Sequence, residues 1–227
     1  MQIKTGRIRQ KNTDARRAEL IQATLRVIAQ HGVMAASVRS ISKEANVTQG
    51  LIRYYFDSKD ELIAAAYESY MADLVRSADE IARSEKTAVR RLANFIRFSL
   101  EPPITSHESV SVWAGFFETL LHNDRMTESH KRSYDSLRLH LKVLISEAFE
   151  EVGRTAKESE LRRLSIAGNA IMDGLWMEGG ALPEAFHEGE LVQVGLECFS
   201  ALLSIDLMEI LCREDESELA GHRGQLN

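Results

Sequence analysis

Apolar residues recur along this chain at spacings of three and four, and runs of strict alternation are almost absent, so the pattern predicts helices from end to end. The first, from about Asp14 to His31, gathers Leu20, Ala23, Val27 and Ile28 on one face and stops at Gly32. Ser37 caps a second helix that turns Val38, Ile41 and Ala45 inward. A tight turn at Asn46 and Val47 leads into a third, Thr48 to about Phe56, whose inward stripe is Val47, Ile52 and Phe56. Ser58 and Glu61 form a capping-box pattern that opens a long fourth helix to about Arg83.

The fifth helix spans roughly Thr87 to Leu100 and ends before Pro102-Pro103, which cannot continue it. The sixth, about His107 to His122, carries Val110, Trp113, Phe116, Phe117 and Leu120. The seventh runs from about Asp124 to Val152. Thr155 and Glu158 repeat the capping-box pattern before helix 8, which should end near Gly179-Gly180. Helix 9 should extend from about Glu188 to Arg213. The pattern is therefore all-α, with about nine helices.

Charge divides the chain. Eleven basic and five acidic side chains in residues 1–60 give that stretch a net +6, whereas the remainder carries −12 of the total −6. A basic head on an acidic body predicts a head, 1–60, that meets a polyanion and a body, 61–227, that meets something else. The stretch "KTGRIRQKNTDARR" before the first helix suits either a solvated tail or an arm that follows the backbone, or enters the minor groove, of a polyanionic duplex beside the head.

Two cysteines, Cys198 and Cys212, make no disulfide framework. Placed on one helix they would stand about 21 Å apart, beyond bridging reach. Histidines at helical ligand spacing, HExxH, a nucleophile–base set and a phosphate loop are all missing from the sequence, so neither metal nor cofactor nor enzymatic activity is expected. Nor is any apolar run long enough for secretion or membrane spanning, which points to the cytoplasm.

The second and third helices, joined by Ala45-Asn46-Val47, have the length and pattern of a helix-turn-helix. A recognition helix offers its first residues to base edges: Gln49 can read a base, Leu51 can touch a thymine methyl, and Gly50 lets the backbones approach. Arg53 suits a base or a phosphate, and the hydroxyls of Tyr54 and Tyr55 suit phosphate oxygens, although tyrosines at a helix end also cover small cores. Lys59 lies at a helix N-terminus, a natural anion site.

The stretch "LIQATLRVIAQHGVMAASVRSISKEANVTQGLIRYYFDSKDELIAAA" resembles the N-terminal domain of TetR-family transcriptional regulators. The resemblance implies a three-helix DNA-binding domain on a helical ligand-binding and dimerisation domain. It places Ser37, Arg39, Thr48, Gln49, Gly50, Leu51, Arg53, Tyr54, Tyr55 and Lys59 on DNA-contacting positions. Two positions depart from the usual pattern: Asn46 stands where members have glycine, and Arg53 where many have tyrosine. Asparagine tolerates the left-handed conformation, but arginine leaves the operator sequence open, since it can pair with guanine.

Such a head reads one half-site, so a dimer on a palindromic double-stranded operator is expected. Helices 8 and 9, with Ala167, Gly168, Ala170, Gly174, Gly195, Ser200 and Ala201 among larger apolar residues, suit a four-helix interface and equally suit burial within one subunit. "SVWAGFF" and "IAGNAIMDGLWMEGGAL" further resemble the C-terminal domain of the choline-responsive BetI subgroup. That implies a small-molecule effector, and Trp113, Phe116, Phe117, Asp173, Trp176 and Glu178 offer aromatic faces and carboxylates for a quaternary or protonated amine. The same spacing suits core packing. Repressor, activator and helical scaffold without DNA all remain compatible with the pattern.

Overall fold

The computed structural model describes residues 2–208. Among the described residues there are nine α-helices and no strand: α1 Gln2–His31, α2 Val38–Glu44, α3 Gln49–Tyr55, α4 Lys59–Ala82, α5 Ala88–Ser99, α6 His107–Leu120, α7 Asp124–Glu151, α8 Glu158–Ala181 and α9 Glu190–Leu203. Two 3-10 turns, Val33–Ala35 and Pro183–Ala185, precede α2 and α9.

Three helix ends differ from the sequence reading. The first helix begins at Gln2 rather than near Asp14, so the basic arm is helical and continuous with α1. Lys, Arg and Gln are good helix formers and this stretch holds no proline. Thr155 does not cap α8; the flanking residue is Lys157, without a side-chain cap. Acidic Glu158 and Glu160 occupy the first turn instead, where carboxylates suit the helix dipole, and they pair with Lys142 at 2.6 Å and Arg154 at 2.7 Å. At its other end α8 stops at Ala181, just past Gly179-Gly180, as the sequence predicts.

The last helix ends at Leu203, because Ser204 adopts φ 54 and its N–H closes onto the Ser200 carbonyl. Ser200 Oγ then accepts the Leu207 N–H at 3.0 Å, fixing the turn that leaves the helix. The cysteine separation drawn from one continuous helix therefore does not apply, and Cys212 lies outside the described residues.

Contacts divide the described residues into two compact units: one up to Asp73 together with Ser111–Ser133, the other Leu74–Val110 with the chain from Tyr134 onward. In the first, Leu20, Ala23, Val27 and Ile28 of α1 are buried with Ile41 of α2 and Ile52 of α3. Arg26 and Glu44 pair at 2.6 Å, tying α1 to α2. The second has Phe95, Phe149 and Phe199 as its largest fully buried side chains.

Glycines set how closely the helices of the second unit approach. A Cβ on Gly168 would stand 2.8 Å from the Phe199 ring, and one on Gly195 would stand 2.3 Å from Leu100 Cδ1. At Gly180 it would meet Val110 Cγ2 at 2.4 Å and the Ser106 carbonyl oxygen at 2.9 Å. Since backbone cannot swing aside as a side chain can, Gly180→Ala should cost about 1–3 kcal/mol through overpacking. Urea unfolding followed by circular dichroism will show this as a lower midpoint at unchanged slope.

Candidate nucleic-acid interface and effector residues

The interface begins with two caps. Ser37 Oγ accepts the Ser40 N–H at 3.1 Å, and Ser40 Oγ accepts the Ser37 N–H at 2.9 Å, a reciprocal box that starts α2. At the other end of α2 the chain turns through Asn46 at φ 52, the left-handed conformation its short polar side chain tolerates. Thr48 Oγ1 then accepts the Leu51 N–H at 3.3 Å and starts α3.

Two residues seat α3. Ile52 and Phe56 are each 2% exposed, while Val47, expected beside them, is half-buried. Arg17 of α1 lies over the Phe56 ring, 4.6 Å from its centroid. With that side fixed, Gln49, Gly50, Arg53 and Tyr54 face solvent, and Leu51 and Tyr55 are half-buried. Tyr54 is 75% exposed, its ring edge-on to Tyr55 at 5.0 Å. Ser37, Arg39, Thr48 and Lys59 are exposed as well.

The N-terminus of α4 holds a cluster that sequence reading missed. Ser58 Oγ accepts the Glu61 N–H at 3.1 Å as the capping pattern requires, but the Glu61 carboxylate reaches past Ser58 to the Asp57 N–H at 2.7 Å. Glu61 also receives Arg17 at 3.9 Å and Arg125 of α7 at 3.5 Å. One carboxylate thus joins α1, the end of α3, α4 and α7. No local spacing announces partners so far apart in sequence.

The effector candidates fall in both units. In the first, Trp113 stacks on Phe117 with ring centroids 4.8 Å apart, and Phe117 is 40% exposed. Phe116 instead sits in the core, edge-on to Tyr67 at 5.2 Å. The Tyr67 hydroxyl is in turn 2.6 Å from His130 Nδ1.

In the second unit, burial pushes the Asp173 carboxyl up to about 6, against the opposing pull of hydrogen bonds from Tyr134 and Asn169 and the charge of Arg138. Asn169 Nδ2 donates to Asp173 at 2.7 Å. Trp176 is buried, with its indole N–H donating to the Ile104 carbonyl at 2.8 Å, and Glu178 is exposed. Tyr134, Asn169 and His130 were not legible as partners, because each meets its group across helices or on an unremarked face.

Among the described residues no group of acidic, histidine or cysteine side chains is placed to hold a metal ion, and no helix is long and apolar enough to cross a membrane.

Residues 20–66 match the profile of the bacterial regulatory proteins of the TetR family, and 88–204 match that of the BetI-type transcriptional repressor C-terminal region. A transcriptional regulator from Pseudomonas aeruginosa PAO1, described as putative, has a similar structure: 29% identity, 86% of this chain and 94% of that one, TM-score 0.71. Two more distant structures share the fold. A Saccharomonospora viridis regulator in complex with choline has 16% identity, covers 84% and 96% of the two chains and gives a TM-score of 0.62. FadR from Bacillus subtilis in complex with stearoyl-CoA has 19% identity, covers 83% and 98% and gives 0.64. With one family profile on the helix-turn-helix and a second spanning half of its length, the chain belongs to the TetR family of DNA-binding transcriptional regulators, with a C-terminal region of the BetI type.

Proposed function

We propose that this chain is a cytoplasmic homodimeric repressor whose head, residues 1–60, reads a palindromic operator and whose body, 61–227, releases it when a small cationic amine such as choline binds. The observation that carries the DNA-reading part is the division of α3: Ile52 and Phe56 are buried while Gln49, Gly50, Arg53 and Tyr54 face outward together. Gln49 and Arg53 then address base edges, Leu51 a thymine methyl, and Tyr54, Tyr55, Lys59, Ser37, Arg39 and Thr48 the phosphates. A Cβ on Gly50 would meet nothing closer than Thr48 Oγ1 at 3.9 Å, so the protein's own packing does not demand glycine there. Close approach of an external backbone does.

Dimerisation through α8 and α9 is supported by what the monomer leaves unused. Gly168 and Gly195 are buried within the subunit, but Ala170, Gly174 and Met177 line one exposed face of α8, and Ala201 is exposed on α9. That stripe is small and apolar enough for close packing around a twofold axis. For the effector, the first unit offers the stacked Trp113–Phe117 pair for cation–π recognition, with Phe116 in its core, and the second unit separately offers the Asp173 carboxylate for ionic recognition, with Trp176 buried and Glu178 exposed. A fold neighbour holds choline and another holds stearoyl-CoA, so the fold accommodates both classes; the aromatic and acidic character of these residues favours the amine.

Fluorescence anisotropy with DNA from upstream of the gene tests the reading. Sequence-selective, salt-sensitive binding that weakens on adding choline is expected, and absence of any selective binding would overturn it. Binding that ignores choline would remove the amine and leave the regulator. Arg53→Ala should cost about 1–3 kcal/mol and relax preference at one base if it reads guanine; if it grips a phosphate, all sequences should weaken alike and the salt slope should fall by about 1.

A further inference from the structure

We propose that a cavity at the connections α5–α6 and α8–α9 is a ligand site of its own, built for a molecule with an extended apolar body and a cationic head. It lies wholly within the second unit and encloses about 660 Å³, within the range of small-molecule pockets and large for a simple ammonium ion. Leu100, Pro102, Phe186 and Leu191 supply apolar walls, while Glu101 and Glu188 supply carboxylates. No lysine or arginine lines it.

The walls are fixed by specific contacts. Trp176 holds the Ile104 carbonyl at 2.8 Å, pinning the connection that carries Pro102 and Thr105. At Gly179, α8 passes so close to α9 that a Cβ would stand 2.3 Å from Leu191 Cδ2 and 3.1 Å from Thr105 Cγ2, so the two walls meet across a bare backbone. Gly189, at φ 76, turns the chain from the 3-10 segment into α9.

The charges are unevenly engaged. Glu190 accepts the His187 N–H at 2.8 Å, and Glu101 has only a loose ion pair with Arg97 at 3.9 Å. Glu188 is exposed and, among the described residues, has no side-chain partner. A carboxylate with no partner beside an apolar cavity favours a cation, and it outweighs there the weaker pull on an anion of His187 and the α9 N-terminus, which line the same wall. This assignment is independent of the choline reading and of the Trp113–Phe117 pair.

Isothermal titration of the full-length protein with decyltrimethylammonium, below its micelle concentration, is the test. Decanoate and tetramethylammonium serve as the matched anion and the head alone. One decyltrimethylammonium per chain is expected, with neither control binding comparably. Val192→Trp, which fills the cavity from its α9 wall, should abolish the binding. Glu101→Gln with Glu188→Gln, the first half-buried with only a loose ion pair and the second exposed, should weaken it about fivefold or more. The proposal is overturned by no binding, by equal binding of decanoate, or by wild-type affinity in both variants. Loss in Trp113→Ala/Phe117→Ala with Val192→Trp unaffected would also overturn it, placing the cation at the aromatic pair.

Discussion

Phe56→Ala should cost about 3–5 kcal/mol, the usual consequence of emptying an aromatic site in a core, and should abolish operator binding although the residue touches no DNA. Phe56 is 2% exposed at the end of α3, and its ring carries the Arg17 guanidinium at 4.6 Å. A seven-residue helix cannot hold itself in water, so its orientation depends on the two side chains that seat it. Removing one of them leaves Ile52 alone against α1 and α2. Against a total stability of about 5–15 kcal/mol, the loss is large enough to lower the midpoint of urea unfolding visibly. Tyr54→Ala makes the contrast: that side chain is 75% exposed, so stability should change by no more than about 0.5 kcal/mol while operator affinity falls. If Phe56→Ala retained both stability and operator binding, the seating of α3 described above would be wrong.

The seating of α3 was legible in the sequence, since Ile52 and Phe56 recur at helical spacing and Ser37 caps α2 as expected, while Thr48, read as the first residue of the third helix, is its cap. So was the turn, because asparagine at position 46 is a residue that tolerates φ 52. The start of α1 was not: charges without periodic apolar partners read equally as tail or as helix. Gly179-Gly180 marked the end of α8 correctly but not its second role as a point of close approach, which only the neighbours Leu191, Val110 and Ser106 reveal. Likewise Ser204 takes a left-handed conformation with no glycine to announce it.

Among the effector candidates, Trp113 and Phe117 stand four apart and share a face, whereas Phe116 is turned about 100° from Phe117 and enters the core. Spacing alone did not separate them, because positions three and four beyond Trp113 both neighbour it on one helix face. The acidity of Asp173 was not legible either, because it depends on burial between helices.

Asp173 also sets the largest expected pH effect. Its carboxyl titrates at about 6 in the folded chain against an ordinary value of 3.8. Between those two values the folded state holds the proton more tightly than the unfolded state, so stability falls as pH rises from about 4 to 6 and then levels off. The full difference amounts to about 3 kcal/mol from this one group. Asp173→Asn carries no titrating proton, so its stability relative to wild type should rise by up to that amount on going from pH 4 to pH 7.5. Parallel urea unfolding of the two proteins isolates the group, since every other carboxylate titrates in both. A constant difference across that range would show that Asp173 is not desolvated. The same burial bears on recognition: a cation seated beside Asp173 favours its ionised form and must displace the proton below pH 6. Binding of an amine at this carboxylate should therefore strengthen as pH rises from 5 to 7, release a fraction of a proton near pH 6, and lose that dependence in Asp173→Asn. An amine that binds with the same pH dependence to both proteins is held by other residues.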